Sequence, residues 1–164
     1  MRSQKTEETA IDEKGYITLA QQHMAALYRT AYSIVGNRAD AEDAVQQCLL
    51  NAWRMREKAR EGTERAWMMR IAINECYAIL RSRKRCAPGQ IPEGICFPPE
   101  DTGLRDALKA LPETLRTPFL LKYMEGMKEN EVAASMGLPV AAVKNRLFRA
   151  RRQLRKLLKE EVEL

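Results

Sequence analysis

The feature that most constrains this chain is where its helix breakers lie. Residues 86–103 (CAPGQIPEGICFPPEDTG) hold four of the seven prolines, three of the eight glycines and no Lys or Arg. A proline inside a helix removes one backbone hydrogen bond and clashes with the preceding turn, so this segment is no helix interior. It reads as a flexible linker that divides 164 residues into two modules, each the size of a small domain. Fully extended it spans roughly 60 Å, and as a coil about 20 to 25 Å, so the modules can sit apart.

Both modules read as helical. The first helix is expected over residues 16–35, with Leu19, His23, Ala26, Leu27, Thr30 and Ile34 near one stripe and Gly36-Asn37 as its stop. The second, residues 40–56, opens on Asp40 as N-cap and turns Ala41, Val45, Cys48, Leu49 and Ala52 to a core. The third, residues 63–85, is apolar nearly all round, which places it inside a bundle. Beyond the linker come residues 104–110, a break at Leu111-Pro112, and a segment to Glu125 in which Thr117 caps a fresh turn begun by Pro118. Two more helices follow, and no stretch alternates with the period of a strand. An all-α protein of two helical domains is expected: a flexible N-terminal tail (1–15), a first module (16–85), the linker (86–103) and a second module (104–160).

Charge is unevenly spread. Residues 1–80 carry 11 basic and 11 acidic side chains, and residues 81–164 carry 17 and 11, so the whole net charge of +6 lies in the second part. That asymmetry favours an anionic partner. The polar N-terminus and the short apolar runs argue against membrane insertion, so the expected location is the cytoplasm. Cys48, Cys76, Cys86 and Cys96 form no C-x-x-C pair, and His23 lies far from them, so reduced thiols are expected, with no metal and no cofactor. The chain contains no phosphate loop, no G-x-G-x-x-G and no nucleophile elbow, and His23 has no sequence neighbour suited to acid–base work; an enzyme is not expected.

Residues 126–158 (GMKENEVAASMGLPVAAVKNRLFRARRQLRKLL) have the layout of a helix-turn-helix: small Ala133 at the crossing, Gly137 in the turn, Val143 locking the second helix. On that helix Val143, Leu147, Ala150, Leu154 and Leu157 share one stripe, while Asn145, Arg149, Arg152 and Lys156 share the opposite one. Lys144 flanks the outer stripe. Seven basic residues and no acid lie between Lys144 and Lys156, and such self-repulsion is relieved by a polyanion. Phe148 sits at the edge of the polar stripe, placed either to cover the bundle or to touch a thymine methyl group. A basic helix alone is most simply a solvated face. Joined to this turn it points to DNA.

Two further clusters stand in the first module. Arg81, Arg83, Lys84 and Arg85 end the third helix, where the helix dipole favours cations, and form a second candidate DNA contact. Asp40, Glu42 and Asp43 open the second helix, where the dipole favours anions. Yet the face opposite its apolar stripe carries Asp43, Gln46, Gln47, Arg54 and a lone Leu50, a composition suited to a protein-binding patch.

Taken together these residues resemble the extracytoplasmic function (ECF) class of sigma-70-type RNA polymerase sigma factors. The likeness rests on Leu27-Tyr28-Arg29, Asp40 to Gln46 (DAEDAVQ), Ala52-Trp53-Arg54, Ala66-Trp67, Arg70-Ile71-Ala72, Asn74, Leu80-Arg81, Leu111-Pro112, Glu131-Val132-Ala133 and Val143 to Arg151 (VKNRLFRAR). The resemblance implies that the first module is sigma region 2 and the second sigma region 4. Asp40, Glu42, Asp43 and Gln46 would meet the clamp helices of the largest polymerase subunit. The loop at residues 58–64 and the third helix, with Asn74 and Arg81, would melt and read the minus-ten promoter element. Lys144, Asn145, Phe148 and Arg149 would read the minus-thirty-five element in the major groove. The helices of residues 104–125 would dock on the polymerase flap, and an inhibitory anti-sigma factor would clamp both modules. The rival readings are a helix-turn-helix regulator that binds operators alone or as a dimer, and a membrane-surface or partner-binding protein using the basic helix.

Overall fold

The computed structural model describes residues 11–86 and 102–162. Most of the linker, residues 87–101, and the tail, residues 1–10, lie outside the described residues. Seven α-helices account for nearly all of the rest: α1 (Glu13–Val35), α2 (Arg38–Arg54), α3 (Glu64–Cys86), α4 (Thr102–Ala110), α5 (Glu113–Tyr123), α6 (Glu129–Met136) and α7 (Val140–Val162). Among the described residues there is no strand. The two ends of the expected linker are helical, since Cys86 closes α3 and Thr102 opens α4.

Local chemistry explains the boundaries. Asp12 caps α1 by accepting the Gly15 N–H at 2.8 Å, and the helix ends where Gly36 turns left-handed at φ 78° and returns its N–H to the Tyr32 carbonyl. The N-cap of α2 is Asn37 rather than Asp40. The Asn37 Oδ1 accepts the Asp40 N–H at 2.9 Å while its Nδ2 donates to the Asp40 carboxylate at 3.0 Å, a reciprocal pairing that draws the helix start two residues earlier than expected. At the other end Arg56 lies 4.0 Å over the Trp53 ring and donates to the Trp53 carbonyl. Pro118 also departs from expectation: α5 runs through it without a new start, and the Thr117 hydroxyl bonds the Glu113 carboxylate one turn back instead of capping a fresh turn.

The first three helices pack on one another, and α3 is the central one. Its Met68, Met69, Ala72, Ile73 and Cys76 are buried among Leu27, Ala31 and Ile34 of α1 and Val45, Cys48 and Ala52 of α2. Burial pushes the Cys48 and Cys76 thiols up to about 12, so both stay protonated and unreactive at neutral pH.

The linker is long enough for the modules to sit apart, but in this structure they pack on each other. α6 packs against α3, and α5 against α1. Leu121, Met127, Val132, Ala133, Val143 and Leu147 belong to the same continuous core as α1 to α3, while a second, smaller core joins α4, α5 and α7 through Ala107, Leu108, Leu111, Leu115, Ala150 and Leu154. Each buried aliphatic side chain is worth about 1.5 to 3 kcal/mol, which is ample reason for the halves to close.

Candidate nucleic-acid interface

The helix-turn-helix is assembled as its spacing demands. The Glu131 carboxylate accepts the Lys128 N–H at 2.8 Å and so caps α6; Gly137 then turns left-handed at φ 64°, and its N–H bonds the Ala133 carbonyl. A side chain at position 137 would meet this left-handed backbone and, in addition, the Arg70 guanidinium at 3.2 Å from its Cβ. α7 then seats Val143, Leu147 and Ala150 with no exposure at all, and Leu154 is nearly as buried. Helical geometry therefore turns Lys144, Asn145, Phe148, Arg149 and Arg152 outward, and all five are exposed. Phe148 is 59% exposed, far too open to be a cover for the bundle.

Electrostatics on this face is one-sided. Among the described residues Arg149, Arg152, Arg155 and Lys156 have no carboxylate within ion-pair distance, and Arg149, Arg152, Gln153 and Lys156 line a shallow groove. Arg146 and Arg151 donate instead to the Thr114 carbonyl and the Tyr123 hydroxyl. Lys144 lies 3.9 Å from Glu129, whose carboxyl is held below the usual glutamate value first by the hydrogen bond from Lys122. Glu129 is thus the one acid bordering the reading face among the described residues. Glu129 opens α6, so the charge pattern along α7 carries no sign of it.

α3 presents a second outward stripe: Arg70, Asn74, Ala78 and Arg81, each exposed, one turn apart. The side shared by Trp67, Ile71 and Asn74 is therefore the outer one, with Trp67 itself half-buried, while Met69 and Ile73 point into the core. Arg70 had no assigned role; its i+4 spacing to Asn74 was the available signal. Arg83 differs from its neighbours, because it donates to the Val35 carbonyl at 2.8 Å and pairs with Asp40. Two expected contact residues, one for DNA and one for polymerase, are thus spent on each other in this state. Lys84 and Arg85 are in the last turn of α3, and their side chains lie outside the described residues.

On α2, Glu42, Asp43, Gln46 and Leu50 are exposed on one side, with Leu50 52% open. Glu42 bonds Arg38 across one turn, at the surface. A further groove between α4, α5 and α7 has Leu104, Phe119, Tyr123, Leu154 and Leu158 as its apolar floor, with Arg151 and Arg155 at its rim.

Comparison with known proteins decides the family. Residues 19–86 match the family described as Sigma-70 region 2, and residues 102–154 match Sigma-70, region 4. RNA polymerase sigma factor SigV of Bacillus subtilis is 32% identical over 154 residues, covering 89% of this chain and 93% of that protein. The chain belongs to the ECF family of sigma-70-type sigma factors. It is also 32% identical to the ECF RNA polymerase sigma factor SigE of Mycolicibacterium smegmatis, of which it spans 60% of the length. Among solved structures this ECF chain is similar to the sigma factor RpoE of Bartonella quintana, crystallised in complex with the anti-sigma factor NepR, with a TM-score of 0.78 and 28% identity over 89% of this chain and 98% of that one. No helix of the described residues is long and apolar enough to cross a membrane.

Proposed function

We propose that this chain binds bacterial core RNA polymerase in the cytoplasm and directs it to specific promoters, without catalysis of its own. The observation that carries the reading is α7: an exposed face of Lys144, Asn145, Phe148, Arg149 and Arg152, seated on a helix-turn-helix by the buried Val143, Leu147, Ala150 and Leu154 opposite. We assign that face to the minus-thirty-five element in the major groove, with Arg149 and Asn145 suited to base edges and Arg152 to phosphate. The α3 stripe of Asn74 and Arg81, joined by Arg70 and the basic end at Lys84 and Arg85, is assigned to the minus-ten element. The exposed acids and amides around Leu50, with Glu42, Asp43 and Gln46, are assigned to polymerase, as is the arginine-rimmed apolar groove of the second module. Residues 16–85 and 104–160 are the two working modules and 86–103 the strap between them. Control by an anti-sigma factor is part of this reading, supported by the likeness to RpoE crystallised with NepR.

The test adds the purified chain to sigma-free core polymerase and maps RNA 5′ ends. Start-site-specific RNA is expected, lost on Arg149→Ala with core binding intact, and lost on Asp43→Ala/Leu50→Ala through core binding itself. Tight operator binding by a dimer that ignores polymerase would replace this reading with that of a stand-alone regulator.

A further inference from the structure

We propose that Glu129 sets how selectively α7 reads DNA, by holding the Lys144 ammonium back from the phosphate backbone until a matched base takes it. This rests on the assignment of α7 to duplex DNA, and it names the residue that separates matched from random sequence on that face.

Glu129 is the first residue of α6, the helix that precedes the reading helix, and its carboxylate is shared between two lysines. One oxygen accepts from the Lys122 ammonium at 3.0 Å, and the other lies 3.9 Å from the Lys144 ammonium. The two lysines are held differently. Lys122 is 29% exposed, bonded to Glu129 and placed over the Tyr123 ring at 6.0 Å from its centre. Lys144 is 65% exposed and beyond hydrogen-bond reach, so the carboxylate attracts it without fixing it. Arg151, which donates to the Tyr123 hydroxyl at 3.0 Å, adds a third cation to the surroundings of Glu129. The carboxyl is held below its ordinary value of 4.5, first by the Lys122 hydrogen bond, so it is charged at neutral pH.

A carboxylate beside a DNA-reading face weakens binding in two ways. It repels nearby phosphates, and it neutralises a cation that would otherwise displace counterions from the duplex. The cost falls unequally on two kinds of complex. On a random duplex Lys144 finds only phosphate, and a phosphate and a carboxylate on one ammonium repel each other, so Lys144 must leave Glu129 to gain the contact. On a matched duplex it meets the neutral acceptor edge of a guanine, O6 and N7. An ammonium has three donors, so one stays toward Glu129 while the others meet the base. Arg149 and Arg152 meet no carboxylate among the described residues and carry no such condition. Glu129 is therefore a positioning residue: it acts on DNA through Lys144, and it penalises the wrong sequence more than the right one.

The test measures fluorescence anisotropy of the full chain on two duplexes, one of scrambled sequence and one that the parent chain enriches from a random pool. Glu129→Gln, with helicity unchanged, should bind the scrambled duplex about threefold to fivefold tighter, the scale of one exposed ion pair. Its salt slope on that duplex should steepen by about 1, as for one added phosphate contact. Affinity for the enriched duplex should change by less than about twofold, so discrimination falls. Two further variants exclude a merely structural role for the carboxylate. Lys122→Met removes the 3.0 Å bond and should leave the scrambled duplex no more tightly bound. Lys144→Gln should abolish the gain from Glu129→Gln in the double variant. Equal tightening on both duplexes, an undiminished gain beside Lys144→Gln, or tightening by Lys122→Met overturns the proposal. A parent chain that enriches no sequence overturns the assignment of α7 to DNA, and the proposal with it.

Discussion

Helices α3 and α7 have the same length, 23 residues, and both are rich in arginine, but their surroundings differ in acid. Around α3, Glu131 takes Arg65, Asp40 takes Arg83, and Arg70 rests against the Gly137 turn. Around α7, Glu129 meets Lys144, and the outer arginines Arg149 and Arg152 meet no carboxylate among the described residues. The same side chain therefore serves cohesion on one helix and stands available on the other. The charge a helix can offer a polyanion is what remains after the acids of neighbouring elements have been paired, and that remainder is larger on α7.

The largest loss is expected when the seat that orients α7 is removed. Leu147→Ala should cost about 2 to 5 kcal/mol, read as a lower urea midpoint, because the cavity lies where the side chain is fully buried. A finer cut contrasts two arginines. Arg149→Ala should weaken binding to a minus-thirty-five duplex by about 1 to 3 kcal/mol while shifting stability by less than about 0.5 kcal/mol. Arg83→Ala should do the opposite, lowering stability by about 1 to 2 kcal/mol through loss of its bonds to Asp40 and Val35, with the α7 duplex affinity unchanged. Equal losses on both measurements for both variants would erase the distinction between the helices.

Salt dependence gives a smaller but sharper reading. Arg152→Ala should reduce the slope of log K against log salt by about 1, as expected for one phosphate contact, whereas Arg83→Ala should leave the slope alone. The least effect is expected from acid. The Glu131 carboxyl lies below its ordinary value of 4.5, held there first by the Lys128 N–H and also by Arg65. A lowered folded-state value means its stabilisation is complete above pH 4.5 and is lost as pH falls through the lowered value. The urea midpoint should therefore drop on acidification by less in Glu131→Gln than in the parent chain.

Much of the fold was legible because helical periodicity is local. The buried stripe of Val143, Leu147, Ala150 and Leu154 and the exposed one opposite follow from spacing within one helix, as does the lone outward Leu50. Gly36 and Gly137 marked their turns because a left-handed residue has few alternatives. The N-cap of α2 was missed because Asn37 and Asp40 are both good caps, and only their reciprocal bonding selects the earlier one. Pro118 was misread for a related reason: a Thr-Pro pair suits a helix start, yet α5 already had its start at Pro112.

The helical class, the inward and outward faces of α2 and α7, and the acid-free run from Lys144 to Lys156 could be read from the residues in order, since each depends on positions within a few turns of one another. Which charges are spent, and that the two halves close, follow from packing between elements far apart in the chain. Asp40 meets Arg83 across 43 positions and Arg29 meets Glu125 across 96. An ion pair requires approach to within 4 Å, and no periodicity within a single helix reports on a partner that distant along the chain.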